Sequence, residues 1–184
     1  MLKIDLSKTS KELLYAVLTE TAGKAITDKD VSFANIASIQ GAQAGQPNAT
    51  VELSSVANST VVKPGGTEPL TRKVTRHTLA ECATELAVDL TIDDDITQYD
   101  TASYVVAKVN SLLGSVLTEA EVTVSAAAAD NGVREVTVSM KDGAHIALYG
   151  DLVLIVTDNV DHRSTVEGTF PGDDLNGFDK PASA

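Results

Sequence analysis

The sequence has a single cysteine, no tryptophan and an aromatic content of only 4%. Cys82 alone cannot close an intrachain disulfide, which argues against a cross-linked secreted scaffold. With so few aromatics, the core has to be built from Val, Leu, Ile and Ala. Basic residues are scarce as well. Fourteen Lys and Arg face 26 Asp and Glu, for a formal net charge of −12. That balance argues against direct nucleic-acid or anionic-membrane binding, which is driven mainly by cationic contact with phosphate. It leaves docking onto a basic protein surface open. No stretch approaches the roughly 20 apolar residues of a membrane span. The opening Met1-Leu-Lys-Ile-Asp-Leu6 shows no signal-peptide apolar stretch, so cytoplasmic synthesis is expected.

What is present is a hydrophobic fraction of 43% in 184 residues, enough for one domain, or one domain plus an arm. The organising stretch is 120–157. Val122 and Val124 alternate with Thr123 and Ser125, as in a half-buried strand. Asn131-Gly132 is a dipeptide that accepts the positive φ of a tight hairpin. Val136, Val138 and Met140 then alternate again, and Lys141-Asp-Gly-Ala144 suggests a second turn. Asp151-Leu-Val-Leu-Ile-Val-Thr157 is nearly continuously apolar, which predicts a central strand covered on both faces. Gly150 before it marks a bulge or a close backbone approach.

Elsewhere, Leu2, Ile4 and Leu6 alternate with charges, as in a short strand that could also add to a neighbour's sheet. Thr9-Ser-Lys-Glu12 has the form of a capping box. Leu13, Leu14, Val17 and Leu18 follow at helical spacing, which predicts a helix over 10–22 ended by Gly23. A turn at Thr27–Asp30 leads to Val31-Ser-Phe33. Gln40–Asn48 is small, polar and turn-rich, and reads as a long connecting loop. Strands are expected near 49–54 and 70–76, the second at an exposed edge guarded by its charges. Between them Lys63-Pro-Gly-Gly-Thr67 reads as a loop. Thr78 and Glu81 frame a second capping box, with Leu79, Cys82, Ala83 and Leu86 as the apolar face of the helix. Thr91–Thr97 reads as an acidic loop. Asp100 or Thr101 caps a third helix, whose stripe is Val105, Val106, Val109, Leu112 and Leu113, ended by Gly114. The expected fold class is therefore α+β: an antiparallel sheet, made of the 120–157 meander and the strands near 49–54 and 70–76, packed on two to three helices. The body is expected to span 1–157, and 158–184 to form an extended C-terminal arm with isolated apolar anchors Val166, Phe170, Leu175 and Phe178.

No catalytic constellation emerges, and no catalytic, cofactor or metal residue is assigned. Asp93-Asp94-Asp95 invites a Ca²⁺ loop. Counted from Asp93, however, the positions needing Gly and Glu hold Gln98 and Tyr104, so a solvated turn is the preferred reading. Asp173-Asp174 near Asp179 is read the same way. His77, His145 and His162 are dispersed without metal-ligand spacing. There is no G-x-S-x-G elbow and no phosphate-loop spacing around Lys63. Cys82 reads as a small buried hydrophobe. Arg72, Lys73, Arg76 and His77 form one basic cluster in an acidic chain. The plain reading is an edge-strand guard, and the sharper one a socket for an acidic neighbouring subunit.

Several stretches taken together resemble a known pattern. These are Leu13-Leu14-x-x-Val17-Leu18, Val31-Ser-Phe33, Pro47-Asn-Ala-Thr-Val-Glu-Leu53 and Thr71-Arg-Lys-Val-Thr-Arg76. Asp95-Ile-Thr-Gln-Tyr-Asp100, Lys108-Val-Asn-Ser-Leu-Leu-Gly114 and Leu175-Asn-Gly-Phe178 continue it. The chain is similar over about 10–178 to a domain of virion structural proteins in large contractile-tailed bacteriophages. That family often carries a Ser-Gly-Tyr strand followed by Tyr-Asn-Arg, where this chain has Ser59-Thr60 and Thr75-Arg76. The resemblance implies a non-enzymatic, multi-copy part of a phage particle, made in the host cytoplasm and located in the virion. Head decoration, neck, tail and baseplate positions are all compatible with it. The implied partners are other phage structural proteins in a homo- or hetero-oligomer, without direct nucleic-acid or membrane contact and without a cofactor. Arg72, Lys73, Arg76, Val166, Phe170, Leu175 and Phe178 are the expected partner-binding residues. A stand-alone binding or adhesion module is the alternative.

Overall fold

A computed structural model describes residues 3–43, 45–67, 69–163 and 169. The architecture is α+β, with the strands in mostly antiparallel sheets. Helix α1 (Ser10–Ala22) starts at Thr9, whose hydroxyl accepts from the Glu12 N–H while the Glu12 carboxylate accepts from the Thr9 N–H. It ends on Gly23 in the left-handed region. Three antiparallel strands follow, β1 (Val31–Ser38), β2 (Ala49–Ser55) and β3 (Leu70–Val74), in the order β1-β2-β3. Residues 31–38 thus extend the Val31–Phe33 motif into a full strand. A register shift between Ala34 and Ala37, with Asn35 at φ 49, bulges it and obscures its alternation.

Strand β4 (His77–Thr78) runs straight into α2 (Leu79–Glu85), again through a capping box, here Thr78 and Glu81. Leu86 falls beyond the helix and is 52% exposed, so the apolar face is Leu79, Cys82 and Ala83 without it. The expected acidic loop at 91–97 is in fact strand β5 (Thr91–Asp94) and the start of a 3-10 turn (Ile96–Asp100). Helix α3 (Ala102–Leu113) has Thr101 as its N-cap residue, without a side-chain cap bond, and ends on Gly114 at φ 63. Then come β6 (Val122–Ala126), β7 (Val133–Met140), the two-residue β8 (Leu148–Tyr149) and β9 (Asp151–Asp158).

The main sheet has the order β5-β9-β7-β6, with β5 parallel to β9 and the other pairs antiparallel. Asn131 and Gly132 turn β6 into β7 at φ 49 and 76, with Asp130 and Val133 exchanging backbone bonds in the two-residue hairpin form. β9 is central as its apolar run suggests, but among the described residues only one of its faces is fully buried. Leu152, Leu154 and Val156 are fully buried, while Val153 is 39% exposed. The buried face packs on α2 and α3 through Leu79, Val105, Val109 and Leu113. The opposite face carries Thr123, Ser125, Thr137 and Val153, and its threonines and serines make it tolerable in water.

A second, smaller core lies between α1 and the three-stranded sheet, formed by Leu13, Leu14, Val51, Leu53 and Ile146. Residues 3–8 form no strand. Ile4 and Leu6 are apolar because they pack: Leu6 against the main core and Ile4 against both cores. The parallel β4–β8 pair, the His77 N–H to Ala147 carbonyl bond and the Ser10 hydroxyl on the Ile146 N–H tie the halves together. Gly150 makes the expected close approach, since a Cβ there would lie 3.2 Å from Thr78 Cγ2.

Candidate functional site

β3 is the edge of its sheet, and among the described residues no strand pairs with its outer side. Leu70 through Lys73 are exposed, and the charges of Arg72 and Lys73 discourage indiscriminate pairing there. The strand stops at Val74, two residues short of its expected end. The structure separates Arg76 from this pair. Arg76 is 4% exposed, held by Asn48, which accepts from its N–H and donates to its carbonyl. Its guanidinium donates to Ser38 Oγ at 2.7 Å and lies 5.3 Å from the centre of the Tyr149 ring. Ser38 in turn donates to Asp142 Oδ1. Burial lowers the Arg76 pKa, with Asp142 opposing, and Nε is buried without a partner. Arg76 is therefore a structural post between β1, β8 and the 141–144 turn, and not a member of the surface cluster. Charge alone suggested a surface role, whereas the two-residue period from Val74 places position 76 on the inward side.

Beside β3 lies a cleft of about 450 Å³ between the 3–8 stretch, the flank of α1, the end of β3 and Ile146-Ala147. Ile4, Leu13, Val17, Val74 and Ile146 supply its apolar surface, and Lys3, Lys8, Lys73, Asp5 and Glu20 its charged rim. Sequence reading missed it. The available signal was Val17, four residues after Leu13 on the helix stripe yet 40% exposed, so the stripe continues past the residues that α1 buries.

The acidic segment 93–95 is divided among three roles. Asp93 is exposed. Asp94 accepts from Lys108 Nζ at 2.6 Å, the Tyr104 hydroxyl at 2.8 Å, the Tyr99 hydroxyl at 3.0 Å and the Asp95 N–H at 2.9 Å. The Lys108 ammonium first, then the two phenols, hold its carboxyl well below the usual range. Burial first, then the bond to Asp94, raises Tyr99, whereas for Tyr104 the bond to Asp94 comes first. Asp95 caps the 3-10 turn through the N–H and hydroxyl of Thr97. Asp95, Asp158 and His162 are the group among the described residues whose ligand atoms lie within 4.8 Å of one another. His162 Nε2 is 3.1 Å from Asp158 Oδ2 and 3.7 Å from Asp95 Oδ1. The carboxylates already accept from Thr97, Gln98 and Val160, so the arrangement satisfies itself as a polar contact that ties His162 to the end of β9 and to the cap of the 3-10 turn.

His145 is buried, and its Nδ1 accepts from the Ala147 and Leu148 N–H groups. His77 sits 3.6 Å from Glu81. Cys82 is half-buried in the main core, and burial pushes its thiol up, away from nucleophilic use. Val166, Phe170, Leu175 and Phe178 lie outside the described residues, as does the proposed arm beyond Arg163 apart from Thr169. Compared with known protein families, characterised proteins and solved structures, the chain matches none.

Proposed function

We propose that this chain is a non-enzymatic structural component of a tailed-phage particle, present in several copies and held by surface and terminal-segment contacts. The observation that carries the reading is the basic β3 edge, unpaired among the described residues, running beside an apolar cleft with a mixed charged rim. A partner chain can add main-chain bonds to such an edge and place apolar side chains in the cleft, the mode known as β-augmentation. Arg72 and Lys73 select an acidic partner, in keeping with a chain whose own net charge is −12. The resemblance of the sequence to virion structural domains supports the same reading.

The test is the molar mass of the full-length chain across a concentration series, by light scattering, alone and with the other proteins of its particle. The expected result is association that protects β3 and the residues beyond Arg163 from protease. The Arg72→Glu, Lys73→Glu double variant, altered only at exposed positions, should fold and associate at least ten-fold more weakly. A chain that stays monomeric alone and with every particle protein overturns the proposal.

A further inference from the structure

We infer that His145 is an acid-sensitive latch on the segment that joins the two halves of the body. A proton on its Nδ1 releases Ala147 and Leu148, and with them the β4–β8 contact and one wall of the cleft beside β3. The buried Nδ1 accepts from the Ala147 N–H at 3.1 Å and from the Leu148 N–H at 3.0 Å. Both bonds use the Nδ1 lone pair, so the ring is neutral and carries its proton on Nε2. Protonation removes that lone pair and sets a third N–H against the other two. The bonds are then lost, and two backbone donors are left without their acceptor.

What these residues hold is the junction itself. The Ala147 carbonyl accepts from the His77 N–H. Leu148 and Tyr149 pair with His77 and Thr78, and the Tyr149 ring lies over the Arg76 guanidinium. Ile146 belongs to the smaller core and Leu148 to the main one. Ile146 and Ala147 also line the cleft together with Lys73 and Val74 of β3. Release of the segment therefore alters the surface beside the open β3 edge, and couples its shape to pH.

The surroundings do not accommodate an imidazolium in place. His145 is 3% exposed and borders a cavity of about 10 Å³, room for about one water. Lys8 and Glu121 line the same cavity, and Arg76 is close enough to act on the ring. Lys8 is balanced by Asp5 at 3.4 Å. Glu121 favours a charged ring, but its Oε2 already accepts from the Thr118 N–H and hydroxyl. Burial outweighs Glu121 and, with Arg76, keeps the ring neutral. On its own segment, Lys141 donates to the Glu119 and Ala120 carbonyls, and Asp142 accepts from Ser38. His77, the other histidine of the junction, turns its ring to Glu81 at 3.6 Å. A released His145 returns to the ordinary value of about 6.5. The open form thus gains on the closed one by up to about 30-fold between pH 8 and pH 5.

The test is amide exchange of the full-length chain at pH 8 and pH 5, with and without low urea. Protection of the His77, Ala147 and Leu148 amides should fall by roughly 10- to 30-fold at pH 5, with a weaker dependence on urea than the amides of β7. His145→Asn keeps an acceptor that does not titrate, and should remove the fall. His77→Gln keeps its backbone N–H, and should retain it. Protection that is unchanged in the natural chain overturns the inference, as does an equal fall in His145→Asn. So does exchange at the junction with the protection and urea dependence of β7, since the segment then opens only with the whole body. If His145→Asn fails to fold, the imidazole titrations of the natural chain decide by NMR. Loss of protection that tracks His145 supports the latch, and loss that tracks His77 or neither ring overturns it.

Discussion

At the scale of single residues, Asp94 is the most connected polar group of the body, and its role is structural. Replacing it with Ala leaves two phenols and an ammonium facing each other without their acceptor. The expected cost is about 2–4 kcal/mol, read as a lowered midpoint in urea. Asp94→Asn, which keeps one acceptor oxygen, should lose less. The sign of its pH effect follows from a carboxyl held below its unfolded value. The contribution is full above about pH 4, the ordinary carboxylate range, and is lost as pH falls below it. His145 acts higher on the scale. Its Nδ1 accepts two backbone N–H groups, and burial lowers its pKa. The unfolded chain therefore takes up the proton first, and stability falls as pH drops below about 6.5 toward the folded value. His145→Asn, whose Oδ1 can take the place of Nδ1, should flatten that slope below about pH 6.5 in denaturation curves. Neither role was legible beforehand. Three consecutive aspartates look like a solvated turn because their partners Tyr99, Tyr104 and Lys108 lie on two later elements. Only the Tyr104 to Lys108 spacing, one helical turn on one face, hinted that they act together.

At the scale of elements, caps and stripes carried most of the information. Both capping boxes, the α3 stripe, the Asn131-Gly132 hairpin and the α+β class were readable, because each depends on residues adjacent in sequence or one turn apart. β5 was not, since Asp is depleted in strands and four residues give too short a period. Its existence depends on β9, which offers Ile155 and Val156 to Thr91 and Ile92 in parallel register. The partly exposed face of β9 was misjudged for the converse reason: a continuous apolar run records a central position, but not what lies above it. One turn joins the two sheets closely. Gly143 sits at φ +70, and a Cβ there would lie 2.6 Å from the Ile36 carbonyl oxygen on β1. Gly143→Ala is therefore both strained and overlapping a backbone atom. A loss of about 2 kcal/mol or more is expected, seen calorimetrically as a melting temperature lower by roughly 4–8 °C. Gly45→Ala, also at positive φ but with open space around the added methyl, is the control, and should cost less.

At the scale of the whole molecule, the two cores share Ile4, and Ile146 of the smaller core lies in the segment that leads into β8 and β9. They should therefore melt together. Leu154→Ala in the main core and Leu53→Ala in the smaller one are each expected to destabilise by about 2–5 kcal/mol. Both should shift one common transition, with amide exchange in β2 and β7 slowed or quickened in parallel. Two separate transitions would show that the halves are independent domains.

The central place of β9 also sets an order in time. As the chain is synthesised, β5, β7 and β8 all emerge before the strand they depend on or lead into. β5 waits some 60 residues for the strand it pairs with, a long loop to close. Until Asp151–Asp158 appears, α2 and α3 have no finished sheet to cover, and their apolar stripes stay open to other nascent chains. The chain is thus most exposed to misassociation just before β9 emerges, and a slow step in translation ahead of residue 151 would prolong that interval.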